Sequence, residues 1–588
     1  MIMKKLKLFL PLIFVFAFQT IFSQQVNIKI IETSDLHGAI YPYDFINNKN
    51  AKASMAQIYT YVKEERANPE QEVLLLDAGD LLQGQPPVYY YNFEETSVPH
   101  LMAEVMNFMK YDAGAVGNHD IETGHNVYDK FKRDLNFPWL AANAVNTETN
   151  EPYFQPYQIF SRGGVKIAVL GLITPGIPMW LPQKIWSGIQ WEDMIESAEH
   201  WVKIIKEEEN PDLIIGLFHS GVDYTYGGVT ENTYKNENAA QLVAERVQGF
   251  DVVFVGHDHA GWNKFVKNND QKDVLILGPR GYASTAVTAN IKMTFNKTSG
   301  NWDKEISGEI IDVSKFKSDD EFLKKFNEPF ELIKKYVSKE IGEFTKTISS
   351  RESVFGSSVF ADLLNQIQLE LTNADISFTA PLSFDAKIAK GKIYVRDMFN
   401  LYKYENYLYT MELSGQEIKD YLEYSYSNWF NQMKTENDHL LLFSKDDAGN
   451  IQIENSKAAF VTPPYNFDCA AGINYSIDVT KPAGNRVEIK GMSNGNTFNL
   501  DQTYTVAINS YRGNGGGGHL TKGAGIHKDV LAERIIKSTE KDLRFYIMKW
   551  IEKQKIVTPK SLENWEVIPK EFWQKGMEKD YKLIFGSD

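Results

Sequence analysis

The stretch VNIKIIETSDLHG, residues 26–38, decides the fold, because an apolar run typical of a buried strand ends in Asp35 and His37. In open α/β sheets, functional sites gather where parallel strands end, and side chains two residues apart can lie on the same side there. Three further apolar runs, VLLLDAG, DLIIGLF and VVFVG, lead directly into an Asp or a His residue. The four further patches are Asp80 in LLLDAGD, Asn118 and His119 in AVGNHD, His219 in IIGLFHSG, and His257 and His259 in VFVGHDH.

Asp, Asn and His side chains together suit two divalent cations of hard to borderline character. Such a pair of ions, about 3.5–4 Å apart, lowers the pKa of bound water and clamps both oxygens of an in-line displacement at phosphorus. Any single patch is also explained by loop chemistry, because Asp and Asn cap helices and shape turns. Five patches in this order, four of them after strand-like runs, predict a two-metal site.

Composition narrows the function classes. The 588 residues are enough for several domains with large cores, since 43% of them are hydrophobic. The formal net charge of −15 argues against a nucleic-acid polymer held on a broad basic surface. A small nucleotide stays possible, because metal ions and a few donors can meet its charge locally.

The N-terminus predicts export. Lys4, Lys5 and Lys7 precede an apolar run that is short for a membrane span, and Ser23 follows at a plausible cleavage point. We therefore expect residues 1–23 to be a signal peptide, the mature protein to be periplasmic or secreted, and no stable membrane insertion. The single cysteine, Cys469, excludes an intramolecular disulfide and is more typical of a core residue than of a catalytic thiol.

The pattern of apolar runs divides the chain. Strand-like and helical stretches alternate over residues 26–317, which predicts a layered α/β domain whose helices include residues 53–66 and 191–208. Residues 318–347 predict a connecting helix that is kinked or broken at Pro329, although an ordinary helix packed on one domain explains the pattern equally well. Residues 348–588 predict an α+β domain with its own core, with helices at 357–371 and 539–553.

The order DxH, GD, GNH[D/E], H and GHxH resembles that of the calcineurin-like metallophosphoesterases, and among them the secreted 5′-nucleotidase family. The resemblance implies a four-layer α/β/β/α domain followed by a substrate-binding domain. It also implies two divalent ions, which could be Mn, Zn, Co or Mg. By position, one ion would be held by Asp35, His37 and His259 and the other by Asn118, His219 and His257, with Asp80 bridging.

His119 is not a ligand in this resemblance. The matching family histidine stabilises the transferring phosphoryl group or assists the leaving oxygen, and it is paired with an acidic residue three positions on. Glu122 stands at that position here, where many members have Asp, and Asp120 is the alternative partner.

The second half carries the substrate prediction. Two aromatic faces can sandwich a base, and Tyr404 and Tyr511 match the two clamping positions of the family. The other predicted substrate residues are Asn406, Arg512, Gly515 and Gly516. Two departures count against a plain 5′-nucleotidase: SFTAPLSFDAKIAKG lacks the expected arginine, and Gly517 stands where a ribose-binding Asp is expected.

These departures resemble the bifunctional 2′,3′-cyclic-nucleotide 2′-phosphodiesterase/3′-nucleotidases. The resemblance implies an enzyme that opens 2′,3′-cyclic nucleotides to 3′-nucleotides and then releases nucleoside and phosphate. A 5′-nucleotidase or nucleotide-sugar hydrolase of relaxed specificity is the alternative enzyme, and a silent nucleotide-binding or surface-interaction protein is the alternative of another class. We expect nucleotide substrates and a monomer.

Overall fold

Two mixed sheets form the first half of the chain in a computed structural model that describes residues 24–454 and 457–586. The first sheet contains, in spatial order, Asn301–Asp312, Thr285–Asn296, Gln25–Thr33, Glu72–Asp77, Ala113–Ala115 and Trp139–Leu140. The second contains Trp262–Lys267, Asp273–Gly278, Val252–Val255, Leu213–His219, Val165–Ile173 and Tyr157–Arg162. The predicted signal peptide lies outside the described residues.

The direction of the central strands determines where the polar patches lie. Gln25–Thr33, Glu72–Asp77 and Ala113–Ala115 are parallel neighbours in the first sheet. Leu213–His219 and Val252–Val255 are parallel neighbours in the second. Because parallel strands end at the same edge of a sheet, the loops after the first three strands share one edge of the first sheet, and the loops after the other two share one edge of the second.

Side-chain alternation along the strands separates the layers. In Gln25–Thr33, Ile28 and Ile30 pack between the two sheets, whereas Ile31 packs on the opposite face. The helices that cover the outer faces are Met55–Arg66, Leu101–Met109 and His125–Asp134 on the first sheet, and Met194–Ile204 and Ala240–Arg246 on the second. The predicted four-layer α/β/β/α architecture is therefore confirmed.

The second half is an α+β domain, as predicted. Its main sheet contains Cys469–Ala471, Ile376–Thr379, Thr503–Asn509, Leu408–Ser414 and Ile535–Ser538, in spatial order. Its longer helices are Val359–Thr372, Gly415–Ser427, Leu543–Gln554 and Lys570–Phe585. Two three-stranded sheets contain Gly391–Tyr394, Glu340–Phe344 and Ile556–Val557, and Val487–Met492, Ile473–Asp478 and Trp565–Ile568.

The predicted connecting helix is two helices, Asp320–Lys325 and Asn327–Val337. The break lies at Phe326 and not at Pro329, because a proline in the first turn of a helix removes no hydrogen bond that the helix needs. Both helices pack against the core of the first half. This observation favours the ordinary packed helix over a free connector, while the domain boundaries themselves stay predictions.

The two halves are in contact. Tyr89, from the helix Pro86–Phe93, packs into a core cluster of the second half, and its hydroxyl donates to Asp542 at 3.2 Å. The side chain of Asn514 donates to the carbonyl of Trp180 at 3.4 Å. No helix in the described ranges is long and apolar enough to cross a membrane.

Candidate active site

The five polar patches meet at the ends of five parallel strands. Asp35 and His37 follow Gln25–Thr33, and Asp80 follows Glu72–Asp77. Asn118 opens a short helix directly after Ala113–Ala115, so the patch that lacked a long apolar run also follows a strand. The remaining residues are His219, which ends Leu213–His219, and His257 and His259, which follow Val252–Val255.

The backbone of these loops is unusual. Five of the seven predicted ligands have a positive φ, namely Asp35 (52°), His37 (46°), Asp80 (60°), His257 (79°) and His259 (55°). Residues other than glycine adopt this conformation at a cost of about 1–3 kcal/mol each, and such residues cluster at functional sites. The strain indicates that the surrounding fold forces these side chains into the cleft.

One group of donors consists of Asp35, His37 and His259. The Nε2 atoms of His37 and His259 are 3.2 Å apart, and Nε2 of His259 is 3.1 Å from Oδ1 of Asp35. The Nδ1 atom of His37 lies 2.9 Å from the carbonyl oxygen of Gln83. Because a carbonyl can only accept, Nδ1 carries the proton and Nε2 is left with a free lone pair that points into the cleft.

A second group consists of Asn118, His219 and His257. The side-chain oxygen of Asn118 is 3.0 Å from Nε2 of His219 and 2.8 Å from Nδ1 of His257. The Nδ1 atom of His219 lies 2.7 Å from the carbonyl oxygen of Ala78, which again directs Nε2 to the cleft. Asp80 lies between the groups, with Oδ2 at 3.2 Å from Nε2 of His219 and 3.9 Å from Nε2 of His37.

These residues fit two divalent cations. Within each of two sets, Asp35, His37 and His259, and Asp35, Asp80 and His219, the ligand atoms lie within 4.8 Å of one another. Burial lowers the pKa of His37 to about 4, so its imidazole is neutral and able to act as a ligand. Burial opposes ionisation of Asp35, but its hydrogen bond with His259 holds its pKa at about 2. Burial would lower the pKa of His219, but Asp80 raises it to about 9, so a metal ion there would have to displace a proton, because neutral imidazoles and ionised carboxylates are the forms that bind metal.

His119 lies beside the donors without joining them. Its ring centroid is 5.5 Å from that of His37, and its side chain is 28% exposed. Nδ1 of His119 is 2.6 Å from Oε2 of Glu122, one helical turn away. Burial alone would lower the pKa of His119, but the carboxylates of Asp80 and Glu122 raise it to about 10. A cationic ring at this edge suits a negatively charged ligand.

The structure separates the two acidic residues that the sequence left as alternative partners of His119. The hydrogen bonds of the Asp120 carboxylate go to backbone groups and not to the His119 ring. Its Oδ1 accepts backbone N–H groups of Leu81 and Leu82, and its Oδ2 accepts those of Asp80 and Gly117, at 2.8–3.1 Å. Asp120 therefore fixes the loop that carries Asp80, whereas Glu122 orients His119.

Tyr404 and Tyr511 of the second half are both half-buried. Burial raises the pKa of Tyr404, and the neighbouring phenols of Tyr282 and Tyr511 raise it further. The ring of Tyr465 stands almost perpendicular to that of Tyr404, with centroids 6.3 Å apart. Tyr404 thus has Tyr465 at its side and Tyr511 within electrostatic range, and the pairing of Tyr404 with Tyr511 as a base clamp stays a prediction.

The family comparison follows from this geometry. Residues 28–261 match the model of the calcineurin-like phosphoesterases, and residues 340–522 match that of the 5′-nucleotidase C-terminal domain. The chain belongs to the calcineurin-like phosphoesterases with a 5′-nucleotidase C-terminal domain. It is therefore a hydrolase of the metallophosphoesterase family, and the family implies divalent metal ions at the donors described above.

The sequence is similar to several curated proteins. It is 26% identical over 614 residues to the trifunctional nucleotide phosphoesterase protein YfkN of Bacillus subtilis, covering 93% of this chain but only 39% of that protein. It is 25% identical over 610 residues to a 2′,3′-cyclic-nucleotide 2′-phosphodiesterase/3′-nucleotidase of Haemophilus influenzae, covering 92% and 88%. It is 26% identical over 431 residues to a 5′-nucleotidase of Vibrio cholerae, covering 67% and 75%.

Solved structures share the fold. A putative 5′-nucleotidase from Staphylococcus aureus aligns with a TM-score of 0.74 at 21% identity, over 92% of this chain and 99% of that one. A 5′-nucleotidase precursor from Thermus thermophilus aligns with a TM-score of 0.61 at 21% identity, over 92% and 100%. Both alignments include the two domains together.

Three predicted substrate residues of this phosphoesterase have other contacts. Arg512 is 1% exposed, and its guanidinium donates to Asp468, Asn466 and the carbonyls of Tyr465 and Gly516. Its N–H groups are thus engaged within the protein, which contradicts a direct contact with substrate. Gly516 packs so closely against the ring of Tyr511 that a side chain would overlap it. Gly515 supplies the positive φ, 99°, of the turn before it.

Asn406 is 8% exposed, and its amide donates to the Tyr402 hydroxyl at 3.5 Å. The segment that contains Tyr511 is held by contacts within the protein, because Arg512 and the glycines keep Tyr511 in place. Sequence reasoning could not see this, because Asp468 and Asn466, the side-chain partners of Arg512, lie in a different segment.

Aromatic residues at the rim were missed. Trp180 stacks on His257 with centroids 5.7 Å apart and an interplanar angle of 27°. Tyr282 packs on His37 and His259. Neither residue belongs to a metal-binding pattern, and the only available signal was that each lies in a turn-rich loop beside a strand-like run.

Replacing Asp120 by Asn tests its role in holding the Asp80 loop. The amide NH₂ would face two backbone N–H donors, so we expect divalent-metal affinity to fall about 10–100-fold, measured by competition with a fluorescent chelator. Glu122→Gln is the matched control, because it should keep metal affinity while lowering kcat about 100-fold through misorientation of His119. Equal metal affinity in Asp120→Asn and the wild type would contradict the assignment.

Replacing Arg512 by Ala tests whether it is structural. The change leaves Asp468 buried and unpaired, so we expect the free energy of unfolding to fall by about 3–5 kcal/mol, measured by urea denaturation without any nucleotide. Arg534→Ala, which breaks a more exposed ion pair with Glu417, is the control and should cost less than about 1 kcal/mol. Unchanged stability combined with a raised KM would instead favour substrate contact.

Proposed function

We propose that this chain is an exported, metal-dependent hydrolase that converts 2′,3′-cyclic nucleotides to 3′-nucleotides and then to nucleoside and phosphate. The carrying observation is that the proposed metal donors lie close together, with the His119–Glu122 pair beside them. The proposal is also supported by relatives named as 2′,3′-cyclic-nucleotide 2′-phosphodiesterase/3′-nucleotidases in Haemophilus influenzae, Yersinia enterocolitica and Salmonella typhimurium. The coarser activity, nucleotide phosphohydrolysis, agrees with the relatives named 5′-nucleotidases as well.

The proposed metal sites use the seven predicted ligands: one holds Asp35, His37 and His259, the other holds Asn118, His219 and His257, and Asp80 lies between them. Two divalent ions at these sites would lower the pKa of water and withdraw charge from the phosphoryl oxygens. Their identity, among Mn, Zn, Co and Mg, does not follow from a mixed set of nitrogen and oxygen donors.

His119 acts on the phosphoryl group in this proposal. Because Glu122 accepts the Nδ1 proton, the other ring nitrogen, Nε2, is left for the substrate. As an imidazolium, it donates a hydrogen bond to a phosphoryl oxygen, and it can give its proton to the oxygen that leaves. In the first reaction, water adds to phosphorus and the bond to the 2′ oxygen breaks, which leaves a 3′-phosphate and a 2′ hydroxyl. In the second, water adds again and the bond to the 3′ oxygen breaks.

Tyr404 and Tyr511 would hold the base between their rings, each contributing about 1–3 kcal/mol without selecting one base. The residue at the position of the expected ribose-binding Asp is Gly517, whose φ is 70°. A carboxylate that gripped both ribose hydroxyls would be misplaced when one of those oxygens carries the phosphate. The departure thus favours 2′- and 3′-phosphates over the alternative, a 5′-nucleotidase of relaxed specificity.

The substrate preference is testable with purified protein supplied with Mn²⁺ or Zn²⁺. We expect kcat/KM for 2′,3′-cyclic AMP and 3′-AMP to be about 10-fold or more above that for 5′-AMP. The substrates differ in the sugar position that carries the phosphate, and so in the contacts made there. Chelation with EDTA should abolish all three activities, and added metal should restore them. Activity on 5′-AMP alone would favour the 5′-nucleotidase, and a chain that retains no divalent ion would favour a silent binding protein.

Export is proposed from residues 1–23, together with a monomeric mature protein in the periplasm or outside the cell. We expect the full-length chain, expressed in a bacterial host, to be recovered in the periplasmic or culture fraction with an N-terminus at Gln24, since cleavage is expected after Ser23. N-terminal sequencing measures this directly. Recovery of a chain that still begins at Met1 from the cytoplasmic fraction would contradict it.

A further inference from the structure

Tyr282 occupies a strained position at the rim of the metal donors. Its φ is 59°, and that of the next residue, Ala283, is 55°. A tyrosine in the left-handed region is uncommon, and residues held there are typical of functional sites. The backbone N–H of Tyr282 donates to the carbonyl of Asp35 at 2.8 Å. The loop is thus attached to the same segment that supplies two of the proposed ligands.

The ring of Tyr282 has two environments. On one side it packs against His37, with centroids 5.0 Å apart and planes inclined by 30°, and against His259 at 5.8 Å and 71°. The residue is nevertheless 38% exposed. Part of the residue is therefore open to solvent beside these two histidines.

Tyr282 also lies within electrostatic range of a residue of the second domain. Its phenol is close enough to Tyr404 to raise the pKa of that residue, after the larger effect of burial. Tyr282 thus packs on two of the proposed metal ligands and lies within this range of one ring of the proposed base clamp. In a nucleotide, the sugar joins the base to the phosphate, so the sugar must pass this point when both ends are bound.

Support of the two histidines alone does not explain these features. Packing against His37 and His259 requires neither a partly exposed side chain nor a backbone held in the left-handed region. A glycine or asparagine would adopt the same φ at lower cost. The strained tyrosine is consistent with a ring that is held in the cleft for contact with a ligand.

We propose that Tyr282 is a specificity-determining residue whose ring packs against the sugar of nucleotides that carry phosphate directly on the furanose. The inference deepens the proposed function and rests on it. A 2′- or 3′-phosphate places the furanose ring next to the phosphoryl group, whereas a 5′-phosphate inserts a methylene between them. A ring at the rim of the donors therefore contacts the sugar of a 2′- or 3′-nucleotide. The sugar of a 5′-nucleotide lies farther from the donors and is not aligned with the ring.

The test compares Tyr282→Gly and Tyr282→Phe with the wild type on four substrates: 3′-AMP, 2′,3′-cyclic AMP, 5′-AMP and bis(p-nitrophenyl) phosphate, which has no sugar. Glycine adopts a φ of 59° without strain, so this variant removes the ring without disturbing the backbone. We expect Tyr282→Gly to lower kcat/KM about 10-fold or more on 3′-AMP and 2′,3′-cyclic AMP. On 5′-AMP and bis(p-nitrophenyl) phosphate the change should stay below about 3-fold.

Tyr282→Phe keeps the ring and should retain kcat/KM on 3′-AMP within about 3-fold, because the proposed contact is the ring face. Tyr234→Gly, at an exposed tyrosine of the same domain, is the matched control and should change none of the four rates. Metal content per chain, measured by plasma emission spectrometry, should be equal in all variants.

Two results would overturn the inference. A fall in Tyr282→Gly that is equal on all four substrates, together with a loss of bound metal, would show that the ring only supports His37 and His259. An equal fall on 3′-AMP and 5′-AMP with metal retained would show contact without discrimination. Failure of the proposed function is distinguishable, because it appears in the wild type alone, as hydrolysis of 5′-AMP without hydrolysis of 3′-AMP.

Discussion

The carboxylate of Asp80 is the constraint on which the rest of the site depends. It lies between the two donor groups, 3.2 Å from His219 and 3.9 Å from His37, and it accepts the backbone N–H of His119 at 2.8 Å. One residue thus fixes the spacing of both proposed metal sites and the start of the helix that carries His119. Because its own φ is 60°, Asp80 must be held from outside, and the carboxylate of Asp120 does this through the backbone N–H groups of the Asp80 loop. The chemistry of the cleft therefore depends on Asp120, a carboxylate that would not contact a substrate.

The strain in these loops explains why the fold places them where it does. Five residues in the left-handed region, at about 1–3 kcal/mol each, cost an amount comparable with the whole stability of a typical domain. Loops that follow buried strands of two packed sheets can be held in such conformations, because the strands cannot shift without opening the core. Leu213–His219 and Val252–Val255 are buried throughout, and their last residues lead directly into the ligands. The packing of the four layers thus offsets the free-energy cost of the strained loops around the metal cleft.

The predictability of the site follows from how local its signals are. An apolar run that leads into Asp or His is visible in the chain, and so the layered fold and six of the seven proposed ligands could be predicted from it. Asn118 follows a strand of only three residues, and it was singled out by its own short pattern, GNHD. The partner of His119 could not be chosen between Asp120 and Glu122, although residues three apart on a helix face the same side, which favours Glu122. The burial of Arg512 was not predictable, since it depends on Asp468 from another segment. The break at Phe326 was missed because a proline was read as the breaker, whereas it fits the first turn of the next helix.

The division of labour between the domains is less complete than the sequence suggests. The first domain holds every proposed metal ligand, and the second supplies Tyr404 and Tyr511, which would make reaction and substrate choice separate properties. Tyr282 belongs to the first domain, yet it packs on His37 and lies within electrostatic range of Tyr404 in the second. A residue in this position acts on the part of a nucleotide that neither the metal donors nor the base clamp reaches. If the distance between phosphate and sugar distinguishes the substrates of this family, the discriminating contact has to come from the rim of the metal cleft, because that distance is set there. The base clamp cannot supply it, because it tolerates any base and binds the end of the nucleotide away from the phosphate.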